Sequence, residues 1–153
     1  MNLLLDTTYL LPAIGVSIKG FPKDALFRLM KKGHQIAISD ISIFELSAVG
    51  AKQVFVGTLP AERVAKGIRA IVYDERMSVI PFYDSSVLLM AFKLRKLLND
   101  FIDCLILSSA VNQCDAILTE DEDIQDLKRN KEFAGFVATV NPKFEIQKLT
   151  DIL

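Results

Sequence analysis

The chain has 153 residues, of which 51% are hydrophobic and 24% are charged, and its formal net charge is −1. Its length suits a single domain, residues 1–153, and the apolar content excludes intrinsic disorder. The balanced charge excludes a strongly basic surface for nonspecific duplex binding. No uninterrupted apolar run is long enough to span a membrane, and we identify no export signal, so we expect a cytoplasmic protein with no membrane contact.

Strands and helices are predicted in alternation along the chain. In the first half the pattern predicts a strand at 2–6, a short helix at 7–14 capped by Thr7 or Thr8, a helix at 21–32, a strand at 35–39, and helices at 40–49 and 60–75. In the second half it predicts a strand at 78–82, helices at 84–98 and 100–114, a strand at 115–119, a helix at 121–130 and a strand at 135–140. Short apolar strands between helices favour an α/β fold, with three α/β/α layers around a mostly parallel central sheet of about five strands.

Acidic residues occur at the ends of predicted strands and on the helices. Asp6 ends the first strand, and Asp121 and Asp123 follow the fourth, whereas Glu45 lies on the helix after the second strand and Asp103 in the first turn of a helix. Ligands of parallel α/β sheets bind outside the carboxyl ends of the strands, near the point where the strand order switches. Clustered carboxylates in apolar surroundings repel one another, and sites whose ligands are all oxygen favour Mg²⁺ or Mn²⁺.

The same acids have a structural interpretation. Asp100 and Asp103 are spaced as a helix cap and its first-turn partner, and Thr119 with Glu122 matches a capping box. The choice between caps and a shared metal site depends on the strand order. No phosphate-binding Gly-rich loop is present, and the single histidine, His34, lies in a predicted turn, so a His-based triad is not expected.

Four segments occur in a suggestive order: LLLDTTYLL at 3–11, SIFEL at 42–46, DCLILSSA at 103–110 and ILTEDEDI at 117–124. Together they resemble the PIN-domain family of metal-dependent ribonucleases over nearly the whole chain. The resemblance implies a PIN-like fold. It also implies a catalytic and metal-binding site formed by Asp6, Glu45, Asp103 and Asp121. In that site Asp123 would be a supporting acid, and Thr119 would orient a water or a phosphate.

The resemblance also implies an activity. It is the hydrolysis of phosphodiester bonds in single-stranded or structured RNA by an endoribonuclease that uses one or two Mg²⁺ or Mn²⁺ ions. Some members of the family are toxins of the VapC type that pair with an antitoxin, others process RNA, and homodimers are expected. The alternatives are a non-catalytic PIN-fold module that binds RNA or protein, and an unrelated metal-dependent phosphatase or DNA nuclease.

Three further patterns each have two interpretations. Two basic clusters could contact RNA phosphates or simply face solvent: Arg63, Lys66 and Arg69, and Lys93, Arg95 and Lys96. An apolar helical stripe could bind an antitoxin or a second copy, or pack in the core: Val64, Ile68, Ile71 and Val72. Two cysteines match no zinc spacing and are expected to be reduced core thiols: Cys104 and Cys114.

Overall fold

A five-stranded sheet forms the centre of the molecule in the computed structural model, which describes residues 1–153. All neighbouring strands are parallel, and their order is β3-β2-β1-β4-β5. The strands are β1 (Asn2–Leu5), β2 (Gln35–Ser39), β3 (Met77–Ile80), β4 (Ala116–Leu118) and β5 (Glu145–Gln147). The prediction of an α/β fold with a mostly parallel sheet of about five strands is therefore confirmed.

Helices connect successive strands and cover both faces of the sheet. A 3-10 helix, Thr7–Ile14, follows β1, and a 3-10 turn, Leu127–Arg129, follows the sixth α-helix. The α-helices are α1 (Ala25–Lys31), α2 (Asp40–Phe55), α3 (Ala61–Val72), α4 (Ser85–Leu94), α5 (Phe101–Gln113), α6 (Glu122–Asp126), α7 (Lys131–Val140) and α8 (Leu149–Ile152). No helix is long and apolar enough to cross a membrane.

Side chains that alternate along β1 fill two separate cores. Leu4 joins a core with residues of α4, α5 and α7, while Leu3 and Leu5 join a second core with residues of the 3-10 helix, α1, α2 and α3. This alternation is the period of a strand, and burial on both faces explains why Leu3, Leu4 and Leu5 are consecutive apolar residues. The result is the predicted three-layer α/β/α arrangement.

Two glycines allow helices on one face of the sheet to approach closely. A Cβ at Gly67 of α3 would overlap the backbone oxygen of Ala13 in the 3-10 helix, and a Cβ at Gly50 of α2 would overlap Val64 of α3. The predicted end of α2 at residue 49 is therefore wrong. The helix continues through Gly50 to Phe55, because the close packing against α3 offsets the low helix propensity of glycine.

The predicted strand at 135–140 is also wrong. These residues belong to α7, in which Phe133 and Val137 are buried four positions apart, as the core-facing side of a helix requires. Asn130 caps this helix through a 2.9 Å hydrogen bond that its side chain accepts from the amide of Phe133. The fifth strand lies further on, at Glu145–Gln147, where only the central side chain, Ile146, is buried.

The apolar stripe of α3 belongs mainly to the core. Val64 and Ile71 are buried, Ile68 packs against them, and Val72 is left 38% exposed. Most of this stripe therefore has no surface to offer an antitoxin or a second copy. Cys104 and Cys114 are both free and buried, as expected for core thiols.

Candidate active site

A cavity opens at the carboxyl edge of the sheet, where the strand order switches. From β1 the chain adds β2 and β3 on one side, and it later adds β4 and β5 on the other side of β1. The residues that follow β1 and β4 therefore meet at this edge, as ligand sites of parallel sheets do. The cavity has a volume of about 590 Å³ and includes Asp6, which follows β1, and Asp121, which follows β4.

Carboxylates and apolar side chains line the cavity together. No lysine, arginine or histidine lines it. Its carboxylates are Asp6, Glu45, Asp100, Asp103, Glu120 and Asp121. Its apolar side chains are Leu11, Phe44, Ala48, Val49 and Ile102, and two hydroxyl side chains, Thr7 and Thr8, complete the lining.

Two threonine hydroxyls orient the carboxylates. The hydroxyl of Thr119, which is fully buried, donates to Oδ2 of Asp6 at 2.5 Å and accepts from the amide of Asp121 at 3.0 Å. The hydroxyl of Thr7 donates to Oε1 of Glu45 at 2.6 Å, and its amide donates to Oδ1 of Asp6 at 2.7 Å. Asp6 therefore has both oxygens held by the protein, whereas one oxygen of Glu45 and both oxygens of Asp103 accept no hydrogen bond from it.

Three of the acids that line the cavity also cap helices. Asp6, rather than Thr7 or Thr8, caps the 3-10 helix, so that capping prediction is wrong. Asp121 caps α6 by accepting from the amide of Ile124 at 3.0 Å. The predicted capping box with Thr119 is therefore also wrong, because its hydroxyl serves Asp6 and the amide of Asp121. Asp100 caps α5 as predicted, by accepting from the amide of Ile102 at 2.9 Å.

Three of the carboxylates, those of Asp6, Glu45 and Asp103, have raised pKa values and are harder to ionise than usual. Burial is the main cause of the raised pKa of Asp6, and the nearby Asp121 adds to it, while hydrogen bonds from Thr119 and Thr7 act in the opposite direction. Burial also raises the pKa of Glu45, against the effect of the Thr7 hydroxyl. The pKa of Asp103 rises to about 7, first through burial and then through repulsion from the neighbouring carboxylates.

This donor set suits a hard divalent cation. The side chains offer only oxygen ligands, no lysine, arginine or histidine lines the cavity, and several carboxylate oxygens are not used by the protein. No group of three or more acidic, histidine or cysteine side chains is drawn together closely enough to hold an ion in this arrangement. The residues that would hold Mg²⁺ or Mn²⁺, namely Asp6, Glu45, Asp103 and Asp121, therefore remain a prediction.

The structure brings together most of the predicted site, with one exception and two additions. Asp6, Glu45, Asp103 and Asp121 line one cavity, and Thr119 lies beneath it. Asp123, the predicted supporting acid, is exposed and faces a separate depression beside Leu97 and Asn130. The sequence reasoning took Asp100 only as a cap and left out Glu120, although both line the cavity.

Glu120 is held by Tyr9, which lies far from it in the sequence. The hydroxyl of Tyr9 donates to Oε1 of Glu120 at 2.6 Å and accepts from the amide of Leu149 at 3.2 Å. Nζ of Lys148 lies 3.9 Å from Oε2 of Glu120 and 3.2 Å from Oε1 of Glu122. In the sequence, Glu120 lies between Thr119 and Asp121. Its neighbours in the sequence gave no indication that Tyr9 and Lys148 would contact it.

Neither basic cluster lines the cavity. On α3, Arg63 donates to the backbone oxygen of Ala13 at 2.7 Å, and Lys66 and Arg69 line a shallow depression on that helix. In the second cluster, Arg95 donates to the backbone oxygen of Leu98 at 3.1 Å. Contact of either cluster with RNA remains a prediction; the second also contains Lys93 and Lys96.

The fold and the cavity together define a class of protein: a parallel α/β domain with a carboxylate-lined site at its switch point. A family model described as the PIN domain matches residues 3–130. The chain therefore belongs to the PIN domain family. Domains of this family are in general nucleases that depend on divalent metal ions.

A solved structure supports the same fold. The chain is similar to a chain in the crystal structure of VapBC2 from Rickettsia felis bound to a DNA fragment from their promoter. The TM-score is 0.58 and the sequence identity is 22%, over 86% of this chain and 95% of that chain. A comparison with curated proteins finds no match.

Proposed function

We propose that this protein is an endoribonuclease that hydrolyses phosphodiester bonds of single-stranded RNA with the help of Mg²⁺ or Mn²⁺. The observation that carries the proposal is the convergence of Asp6, Glu45, Asp103 and Asp121 on one cavity at the switch point of a PIN-domain fold. A phosphodiester is itself negatively charged, so this carboxylate-lined cavity can accept it only together with cations. That requirement favours metal-assisted phosphoryl chemistry over binding of the anion by the protein alone.

Each side chain has a separate task in this proposal. Thr119 and the amide of Thr7 hold Asp6 in one orientation, and the hydroxyl of Thr7 does the same for Glu45. The carboxylate oxygens that the protein leaves unused, above all those of Asp103, are available as ligands. A bound divalent cation would supply Lewis-acid stabilisation of the phosphate oxygens and would lower the pKa of a water molecule. No protein side chain is required as the nucleophile.

We further propose two protein partners. The similar Rickettsia felis chain belongs to a structure titled as a VapBC2 complex, which supports an antitoxin partner for this chain as well. Homodimerisation follows from the family resemblance. A role in RNA processing without an antitoxin is the other assignment within the same activity, and in both roles the two basic clusters are the proposed contacts for RNA phosphates.

The test is cleavage of labelled single-stranded RNA in the presence of Mg²⁺, Mn²⁺ or EDTA. We expect the wild-type protein to cleave only with a divalent ion, and we expect Asp6→Asn and Asp103→Asn to abolish cleavage and to weaken metal binding without unfolding the chain. Asp123→Asn is the matched control, because Asp123 is exposed and lies outside the cavity, and it should cleave like the wild type. Full activity in either of the first two variants would refute the site assignment.

A second candidate is a non-catalytic PIN-fold module that binds RNA or protein. It is favoured by the absence of a ready-made group of three acids close enough to hold an ion. Binding of RNA without turnover in every divalent ion would support it. Cleavage of DNA or of a nucleotide with RNA left intact would instead indicate a DNA nuclease or a phosphatase.

A further inference from the structure

An exposed aromatic ring forms part of the cavity wall. Phe44 precedes Glu45 on α2 and lines the cavity, yet 64% of its surface is exposed and it belongs to neither core. Exposed phenylalanines are found elsewhere on this chain and require no explanation by themselves. Phe44 differs from them because it faces the same space as the carboxylates.

The two kinds of side chain that line the cavity suit the two parts of a nucleotide. Besides Phe44, the apolar side chains of Leu11, Val49 and Ile102 line the same cavity as the carboxylates. The carboxylates, once they hold cations, suit a phosphate. A flat, uncharged ring that can stack on an aromatic side chain suits the exposed ring of Phe44, and a nucleobase is such a ring. A base can reach Phe44 only when it is unpaired and unstacked, as in single-stranded RNA.

We infer that Phe44 is the base-stacking residue of this site, which holds an unpaired nucleobase beside the scissile phosphate. The inference rests on the proposed ribonuclease function and adds a reason for single-strand specificity. Stacking of one base on one aromatic side chain corresponds to about a 5- to 150-fold change in affinity. Because no cationic side chain lines the cavity, this contact would supply much of the local affinity for RNA that the metal ions do not supply.

The test compares Phe44→Ala with Phe55→Ala, a matched control on the same helix. Phe55 is 90% exposed and does not line the cavity. Binding of a fluorescent single-stranded RNA is measured by anisotropy in the cleavage-deficient Asp103→Asn background, at a Mg²⁺ concentration high enough to offset its weakened metal binding and with Asp103→Asn alone as the reference. KM and kcat are measured separately in the otherwise wild-type protein. We expect Phe44→Ala to weaken binding and to raise KM by about 5-fold or more, with a smaller effect on kcat, and Phe44→Tyr to restore both.

A modified substrate identifies the group that stacks. An oligonucleotide with one abasic position should bind the Phe44-containing protein as weakly as intact RNA binds Phe44→Ala, and the two losses should not add. A duplex of the same sequence should bind both proteins equally weakly. Since Phe44 is exposed on a helix, its replacement by alanine should leave the thermal unfolding temperature nearly unchanged, which verifies that the variant is folded.

The outcomes separate this inference from the proposed function. If the wild type neither binds nor cleaves RNA, the proposed function fails. If the wild type cleaves RNA and Phe44→Ala binds and cleaves equally well, only the stacking inference is overturned. If Phe44→Ala leaves RNA binding intact but loses binding to a partner protein, Phe44 is a protein contact and the inference is again overturned.

Discussion

Replacing Asp103 by asparagine should stabilise the metal-free protein at neutral and alkaline pH. This aspartate lies in the first turn of α5 and faces the cavity. Burial raises its pKa from 3.8 to about 7, and the charges of Asp100, Asp121 and Asp6 contribute to the increase. An ionised Asp103 is therefore unfavourable in the folded state, and the neutral, nearly isosteric side chain of Asp103→Asn removes that penalty.

The size of the effect follows from the pKa. A pKa increase from 3.8 to about 7 corresponds to a ceiling of about 4 kcal/mol, because one pH unit is worth about 1.36 kcal/mol. The side chain of Asp103 is only partly buried and faces an open cavity, so solvent screening reduces this value. We expect Asp103→Asn to raise the free energy of unfolding by about 1–2 kcal/mol at about pH 8.

The pH dependence gives the sign of the prediction. Because the pKa of Asp103 is higher in the folded state than in the unfolded state, the folded wild type binds an additional proton between about pH 4 and pH 7. The stability that this proton provides is fully present below about pH 4 and is lost as the pH rises through about 7. The advantage of Asp103→Asn should therefore be full above about pH 7 and absent near pH 4.

Urea unfolding in EDTA at several pH values measures this difference. Asp123→Asn is the control and should change the free energy of unfolding by less than about 0.5 kcal/mol, since Asp123 is an exposed acid outside the cavity. Added Mg²⁺ or Mn²⁺ should stabilise the wild type by binding its folded state, and should stabilise Asp103→Asn less. A variant that is less stable than the wild type in EDTA at high pH, or whose advantage does not vary with pH, would refute this reasoning.

Two further predictions concern the framework around the site. Tyr9→Phe removes the hydroxyl that donates to Glu120 and accepts from the amide of Leu149. This change should lower the free energy of unfolding, measured by urea titration, by about 1–2 kcal/mol. An unchanged unfolding midpoint would contradict that role. Gly67→Ala places a Cβ against the backbone oxygen of Ala13 and should cost about 1–3 kcal/mol by the same measurement. Gly135→Ala is its control, because a Cβ there meets nothing within 4 Å, and it should stabilise the helix by about 0.5–1 kcal/mol; equal effects of the two alanines would exclude the steric explanation.

Local patterns in the sequence were sufficient to predict most of the fold. The buried strands β1, β2 and β4 each contain three consecutive apolar side chains, and a strand covered on both faces needs such a run wherever it lies in the sheet. The short strand β5 was missed because only Ile146 is buried in it, while the apolar spacing of 133–140 fits a helix better than the strand that we predicted there. Whether a short segment such as β5 forms a strand depends on its pairing with a neighbouring strand, here β4, which the local sequence pattern does not show.

For the candidate site, the sequence alone identified five acids close to the predicted strands or in apolar segments, and the resemblance to the PIN-domain family singled out Asp6, Glu45, Asp103 and Asp121 among them. The tertiary structure decided which acids share the cavity. Asp123 lies two residues beyond the cap of α6, where the helical turn directs it away from the cavity, whereas Glu120 precedes the helix and is held by Tyr9 from a distant part of the chain. Side-chain direction and long-range hydrogen bonds depend on the packed chain, so only the folded molecule could separate these two acids.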